Sequence, residues 1–155
     1  MRTFALPLLA AAALGGAVAT PALANETRAE VRGGIEWLPG RTEGTVGAAV
    51  GYDFDLGPAA FTGLEVSADK VLGSRYKTSF GFQGRAGINA LGNKFYGIGG
   101  YSTEPCDTCR GSWDLGAGAQ FGFMGPLYTK VEYKHHFTDN GPDRDTVLAG
   151  VGVKF

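Results

Sequence analysis

The chain has 155 residues, with 26 Gly, 7 Pro, 44% hydrophobic residues, 12% aromatics and a formal net charge of −1. The length fits one domain, and a near-neutral balance without a basic cluster excludes an electrostatic footprint for nucleic acid. Glycine without a G-X-Y period excludes collagen, and two cysteines are too few for a disulfide scaffold or a four-cysteine zinc site.

Met1-Arg2 gives a positive start to the apolar run from Phe4 to Val18. Thr20-Pro21 breaks that run, and Ala22-Leu23-Ala24 puts small residues where a signal peptidase reads. Residues 1–24 are expected to be a secretory signal peptide, cut before Asn25, and 25–155 the exported domain. No later apolar run approaches the roughly 18 residues of a transmembrane helix.

From Glu26 onward hydrophobicity repeats every second residue, which is the period of a strand. The first run sets Ala29, Val31, Gly33, Ile35 and Trp37 against Glu26, Arg28, Glu30, Arg32 and Glu36. The second sets Val46, Ala48, Val50, Tyr52 and Phe54 against Thr45, Gly47, Gly51 and Asp53, and the third Leu64, Val66 and Ala68 against Glu65, Ser67 and Asp69. In the fourth, Phe80, Phe82, Ala86 and Ile88 oppose Ser79, Gly81, Gln83 and Arg85. The fifth, Phe95 to Ser102, has two adjacent aromatics, and Tyr96 with Ile98 reads as its apolar face. The sixth sets Trp113, Leu115, Ala117, Ala119, Phe121 and Phe123 against Asp114 and its glycines. The seventh sets Leu127, Thr129, Val131 and Tyr133 against Lys130, Glu132 and Lys134, and the eighth Val147, Ala149, Val151, Val153 and Phe155 against Leu148, Gly150, Gly152 and Lys154.

Every second connection is tight: Leu56-Gly57-Pro58, Leu91-Gly92-Asn93 and Met124-Gly125-Pro126. The others, near Leu38–Gly44, Lys70–Lys77, Thr103–Ser112 and Thr138–Asp145, read as longer and more polar. Eight strands with tight turns at one end and longer loops at the other predict an all-β fold: an eight-stranded antiparallel up-and-down transmembrane barrel. Its glycine-rich, charged face would line a narrow lumen. Aromatics gather at the strand ends: Tyr52, Phe54, Phe61, Tyr96, Phe121, Phe123 and Phe155 towards the tight turns, Trp37, Trp113 and Tyr133 towards the long loops. Two such girdles suit the headgroup levels of a bilayer.

Charges of both signs on the polar face predict a salt-bridged plug, because a buried charge without a partner is costly. Glu30, Glu36, Glu65, Asp69, Asp114 and Glu132 would meet Arg32, Arg85, Lys130, Lys134 and Lys154. Paired catalytic carboxylates would need a substrate cavity that eight strands hardly provide.

Gly51-Tyr52-Asp53, Val131-Glu132-Tyr133-Lys134 and the run Leu148 to Phe155 resemble the outer-membrane β-barrel family, which includes opacity-like surface proteins and OmpA/OmpX-type small barrels. Phe155, with Val153 and Val151 before it, is similar to the family's C-terminal assembly signal. The resemblance implies a location in the outer membrane and contact with its lipids and lipopolysaccharide. It also implies handling by the barrel-assembly machinery through the C-terminal strand, a monomer, and no cofactor. The loops are shorter than those of many adhesive members.

Cys106 and Cys109 share the loop before the sixth run and, after export, are expected to form a local disulfide. With His135 and His136 they supply only half a metal site by spacing. His135-His136-Phe137-Thr138 also resembles the His-x-Ser pair of outer-membrane lipid A deacylases, with Thr138 in place of serine. His136 would then be the base, oriented by Asp139, Asp143 or Asp145. The leading expectation is a non-enzymatic structural or surface barrel. A lipid hydrolase using His136, a soluble periplasmic lipocalin-like binder with inverted faces, and a diffusive pore are the competing readings.

Overall fold

A computed structural model describes residues 25–73, 76–106, 110–139 and 141–155. The expected signal peptide, 1–24, lies outside the described residues. The strands are β1 (Glu26–Leu38), β2 (Arg41–Asp55), β3 (Ala60–Val71), β4 (Thr78–Ala90), β5 (Asn93–Ser102), β6 (Ser112–Met124), β7 (Leu127–Thr138) and β8 (Arg144–Lys154). Each pairs antiparallel with its sequence neighbours, and β8 returns to β1 to close the barrel. At that seam Arg28 stands opposite Lys154 and Trp37 opposite Asp145. Closure leaves no open edge, so the backbone donors and acceptors of every strand find partners within the sheet.

Alternate residues point into and out of the ring. In β1, Arg28, Glu30, Arg32 and Glu36 are buried, while Val31, Ile35 and Trp37 are exposed. The same inversion runs around the ring: Val50, Leu64, Phe82, Leu115, Val131 and Val151 lie bare on the outer wall. Charged inside and apolar outside is the reverse of a water-soluble protein, and it suits an acyl-chain surround.

Glycine makes room for the long side chains inside. Arg28 faces Gly51, Tyr96 faces Gly118, and Tyr128 faces Gly152 across neighbouring strands. A Cβ on Gly51 would sit 2.4 Å from the Arg28 guanidinium, and one on Gly152 would sit 2.6 Å from the Tyr128 ring. At the seam, a Cβ on Gly34 would lie 1.9 Å from the Val147 carbonyl oxygen, so β1 and β8 approach closely only because that atom is missing.

Three details differ from the sequence expectation. The fifth strand is reversed: Tyr96 and Ile98 face the lumen, and Phe95 and Tyr101 face out. Burial of Tyr96 is made tolerable by its hydroxyl, which donates to Glu132 at 3.0 Å, and by the room beside Gly118. Phe61 also lies inside, edge-on to Tyr96, with the Lys94 ammonium 4.9 Å from its ring centre. Neither ring therefore belongs to the outer girdle. Finally, the first connection is not long, since only residues 39–40 separate β1 from β2.

The outer wall generates a direct test of facing. Val151→Arg should cost about 2–4 kcal/mol of stability in lipid vesicles, the usual cost of a cation at the midplane of a barrel wall. Urea unfolding in vesicles, followed by heat-modifiable gel mobility, measures it; unchanged stability would contradict the lipid-facing assignment.

Candidate functional site

Among the described residues, ionisable groups from all eight strands converge in the lumen, in three levels along the axis. Nearest the tight turns, Asp53 on β2 accepts from Arg85 Nε at 2.9 Å and from Lys94 Nζ at 2.7 Å. A second Arg85 nitrogen also donates to Asp53, while Glu26 accepts from Lys94 at 2.9 Å and pairs with Lys154 at 3.1 Å. The planar guanidinium of Arg85 thus grips one carboxylate with two parallel donors. It lies 4.6 Å from the Tyr96 ring centre.

The middle level is denser. Glu65 on β3 accepts from Arg28 at 2.6 Å, Arg32 at 2.8 Å and Lys130 at 3.3 Å. Arg32 also holds both Asp69 oxygens, at 2.8 and 2.5 Å. Lys130 lies 2.5 Å from Glu30 and 2.8 Å from Glu132, and Lys134 lies 3.3 Å from Glu132. Tyr128 donates to Glu30 at 2.7 Å. Each carboxylate here touches at least one cation, and the cations alternate with acids, so no charge is left alone in a low-dielectric interior.

Towards the long loops, His136 on β7 is clasped between β6 and β8. Its Nδ1 lies 2.6 Å from Asp114 Oδ1, and its Nε2 lies 3.0 Å from Thr146 Oγ1. Asp114 also accepts from Ser112 at 3.0 Å and from Ser102. Arg144 donates to Glu36 at 3.0 Å and to Ser112 at 3.2 Å. A polar cavity of about 30 Å³ separates this cluster from the middle level, lined in part by Arg32, Asp69, Lys134, His136 and Arg144. That is room for one or two waters, far below the roughly 300–1,000 Å³ of a small-molecule site.

All ten charges expected in the plug lie on the lumen side, together with Lys154 at the tight-turn mouth. Several members were not singled out from the sequence: Arg28, Asp53, Gln83, Gln120, Tyr128 and Arg144. Arg28 and Asp53 carried a signal, since both sit on the polar face of their alternating runs. Arg144 carried none, because it falls in what reads as a loop.

The hydrolase arrangement is assembled differently from its sequence form. His136 meets Asp114 rather than Asp139, Asp143 or Asp145, and Thr138 Oγ1 makes no hydrogen bond to it. The Thr138 amide donates to Asp143 at 3.1 Å, and Asp145 stands on the outer wall, 2.8 Å from His135 Nδ1 and 2.5 Å from the Tyr133 hydroxyl. Asp139 is exposed in the turn after β7. Cys106 is disulfide-bonded, and Cys109 lies outside the described residues. Among the described residues no cluster of three or more His, Cys, Asp or Glu could hold a metal ion.

The middle level should be intolerant of losing its central cation. Lys130→Met leaves Glu30, Glu65 and Glu132 short of one positive charge, and removal of one partner of a buried pair costs about 3–5 kcal/mol. Lys70→Met, on the exposed wall, should leave stability unchanged. Parallel urea titrations of the two variants separate a lumen-specific effect from a general loss of charge.

A family model of the outer membrane protein β-barrel domain matches residues 8–155. Among solved structures, the chain resembles Neisserial surface protein A (NspA) with a TM-score of 0.57 at 11% identity, over 84% of this chain and 97% of that one. It resembles Ail, the attachment invasion locus protein of Yersinia pestis, solved with the heparin analogue sucrose octasulfate, with a TM-score of 0.59 at 12% identity, over 84% and 98%. The outer membrane enzyme PagL aligns with a TM-score of 0.58 at 11% identity, over 81% and 98%. No curated protein matches by sequence. These identities speak for the shared fold, and the family match extends over the whole barrel: the chain belongs to the outer membrane protein β-barrel domain family.

Proposed function

We propose that this chain is a non-enzymatic barrel of the outer membrane, with a structural and surface-presenting role. It anchors in the bilayer, supports envelope integrity and offers its loops to the exterior. The observation that carries this reading is the filled middle level, where Glu30, Glu65 and Glu132 interlock with Arg28, Arg32, Lys130 and Lys134. A lumen blocked by paired charges is suited neither to diffusion nor to a bound substrate. In this reading residues 1–24 direct export. The C-terminal strand, through Val151, Val153 and Phe155, is the handle for the assembly machinery. The mature protein is a monomer in contact with outer-membrane lipids and lipopolysaccharide.

The second reading, a lipid hydrolase, draws support from the likeness to PagL and from the Asp114–His136 pair. Against it stands the burial of His136 inside the lumen. The soluble binder with inverted faces is opposed by the bare apolar outer wall.

Two measurements test the leading role together. Purified protein in planar bilayers should give no stable current steps, and incubation with lipopolysaccharide or phospholipid should release no fatty acid. Acyl release that disappears in His136→Ala would establish the hydrolase, and step currents would establish a pore.

For the loop we propose a Cys106–Cys109 disulfide after export, which closes a small ring and orders residues 105–110 locally. Intact-mass measurement with alkylation should find no free thiol in protein taken from the outer membrane. Two alkylated thiols would refute it. Replacing both cysteines with serine should leave heat resistance nearly unchanged and increase protease nicking of that loop.

A further inference from the structure

The three tight turns at one end of the barrel share an apolar tip. Leu56, Leu91 and Met124 stand at 64%, 101% and 67% exposure, and no charged residue occurs in 56–59, 91–92 or 125–126. At the other end the connection 39–40 is equally short and uncharged, and the longer connections carry Glu104, Arg110, Asp139 and Asp143. A turn that meets water ordinarily uses Asn or Asp before its glycine, because those side chains tolerate positive φ and take hydrogen bonds. Here Leu91 sits at φ 53°, the sole non-glycine with positive φ among the described residues. A polar residue would adopt that conformation at lower cost and would suit water better. Leucine at this position makes sense where its surroundings are apolar.

Two further observations point the same way. In β6 the register with β7 shifts between Gly122 and Met124, and Phe123 and Met124 are both exposed, Phe123 at 74%. A bulge re-aims side chains, and beside this one two consecutive apolar residues are exposed. Two of the turns are also tied to a neighbouring strand. Ala59 and Pro126 accept backbone hydrogen bonds from Asn89 and Lys154, at 2.9 and 2.8 Å. Their tips therefore continue the outer wall, just beyond Phe54, Phe95, Phe121 and Phe155.

In barrels of this family's kind the short turns face the periplasm. We infer that the periplasmic rim is submerged: Leu56, Leu91, Phe123 and Met124 lie in the headgroup–acyl boundary of the inner phospholipid leaflet. The apolar surface of the wall does not end at the aromatic girdle but runs on over the turns. The partner of this rim is the lipid surface itself, rather than a periplasmic protein or the end of a second copy. This inference rests on the outer wall and not on the role proposed for the lumen.

The test uses the full barrel with both cysteines changed to serine. Single cysteines are introduced as Leu56→Cys, Leu91→Cys and Met124→Cys, with Val131→Cys as the mid-wall reference and Asp139→Cys as the aqueous one. Each is spin-labelled and folded into phosphatidylcholine–phosphatidylglycerol vesicles, and folding is checked by heat-modifiable mobility. Power saturation with oxygen and with a water-soluble nickel chelate reads the depth of each label. The oxygen-to-nickel ratio at the three tips should be severalfold above that at residue 139 and approach that at 131. Ratios equal to that at residue 139 would overturn the inference. So would labels shielded from both reagents, which would mean that protein, not lipid, covers the tips. Three independent positions keep the result decisive if one variant fails to fold.

Discussion

The narrowness of an eight-stranded lumen governs everything else in this molecule. Such a ring has space for side chains but not for a solvent column, so each charge placed inside must find its opposite within a few ångströms. Arg28, Arg32, Lys130 and Lys134 meet Glu30, Glu65, Asp69 and Glu132 in one interlocked layer. The same shortage of space explains the glycine content. A long side chain on one strand stands opposite a missing side chain on the next, as Arg28 does opposite Gly51 and Lys134 opposite Gly116. Charge pairing and glycine placement are thus two aspects of one packing solution.

Above that layer the chemistry changes character. His136 has an acid on one nitrogen and a hydroxyl on the other, which is the connectivity of a hydrolytic triad. The neighbouring cavity of about 30 Å³ has room for one or two waters. Hydrogen bonds from Ser102 and Ser112 to Asp114, and from Arg144 to Glu36, tie four strands together at the mouth.

Much of this was legible because strand period, turn chemistry and charge all repeat in the same phase. Seven of the eight runs show which face is charged, and the tight turns announce themselves by Gly next to Pro or Asn. The fifth strand was opaque because it holds one charge, Lys94, and two adjacent aromatics, so nothing local told Phe95 from Tyr96. Tertiary partners decide it: Glu132 on β7 and Arg85 on β4 recruit the tyrosine inward. Phe61 was hidden for a related reason, since a ring between Arg85 and Lys94 is favoured by cations that no periodicity can reveal. The short first connection was missed because Arg41, Thr42 and Glu43 look like loop residues, although they pair in register with β1. Pairings across the lumen, such as His136 with Asp114, lie beyond any reading of spacing along one strand.

The seam between β1 and β8 has a consequence in time rather than in space. Arg144 reaches Glu36 across 108 residues, and Tyr128 reaches Glu30 across 98. Contacts of such sequence separation carry a large loop-closure entropy and form late. Until β8 arrives, β1 is an open edge, and the lumen charges that need both ends of the chain stand half-neutralised. A nascent barrel is therefore at its most vulnerable to mispairing and aggregation when nearly all of it has been made. Gly34, where β1 meets the Val147 carbonyl, marks the place where the last join must slide home.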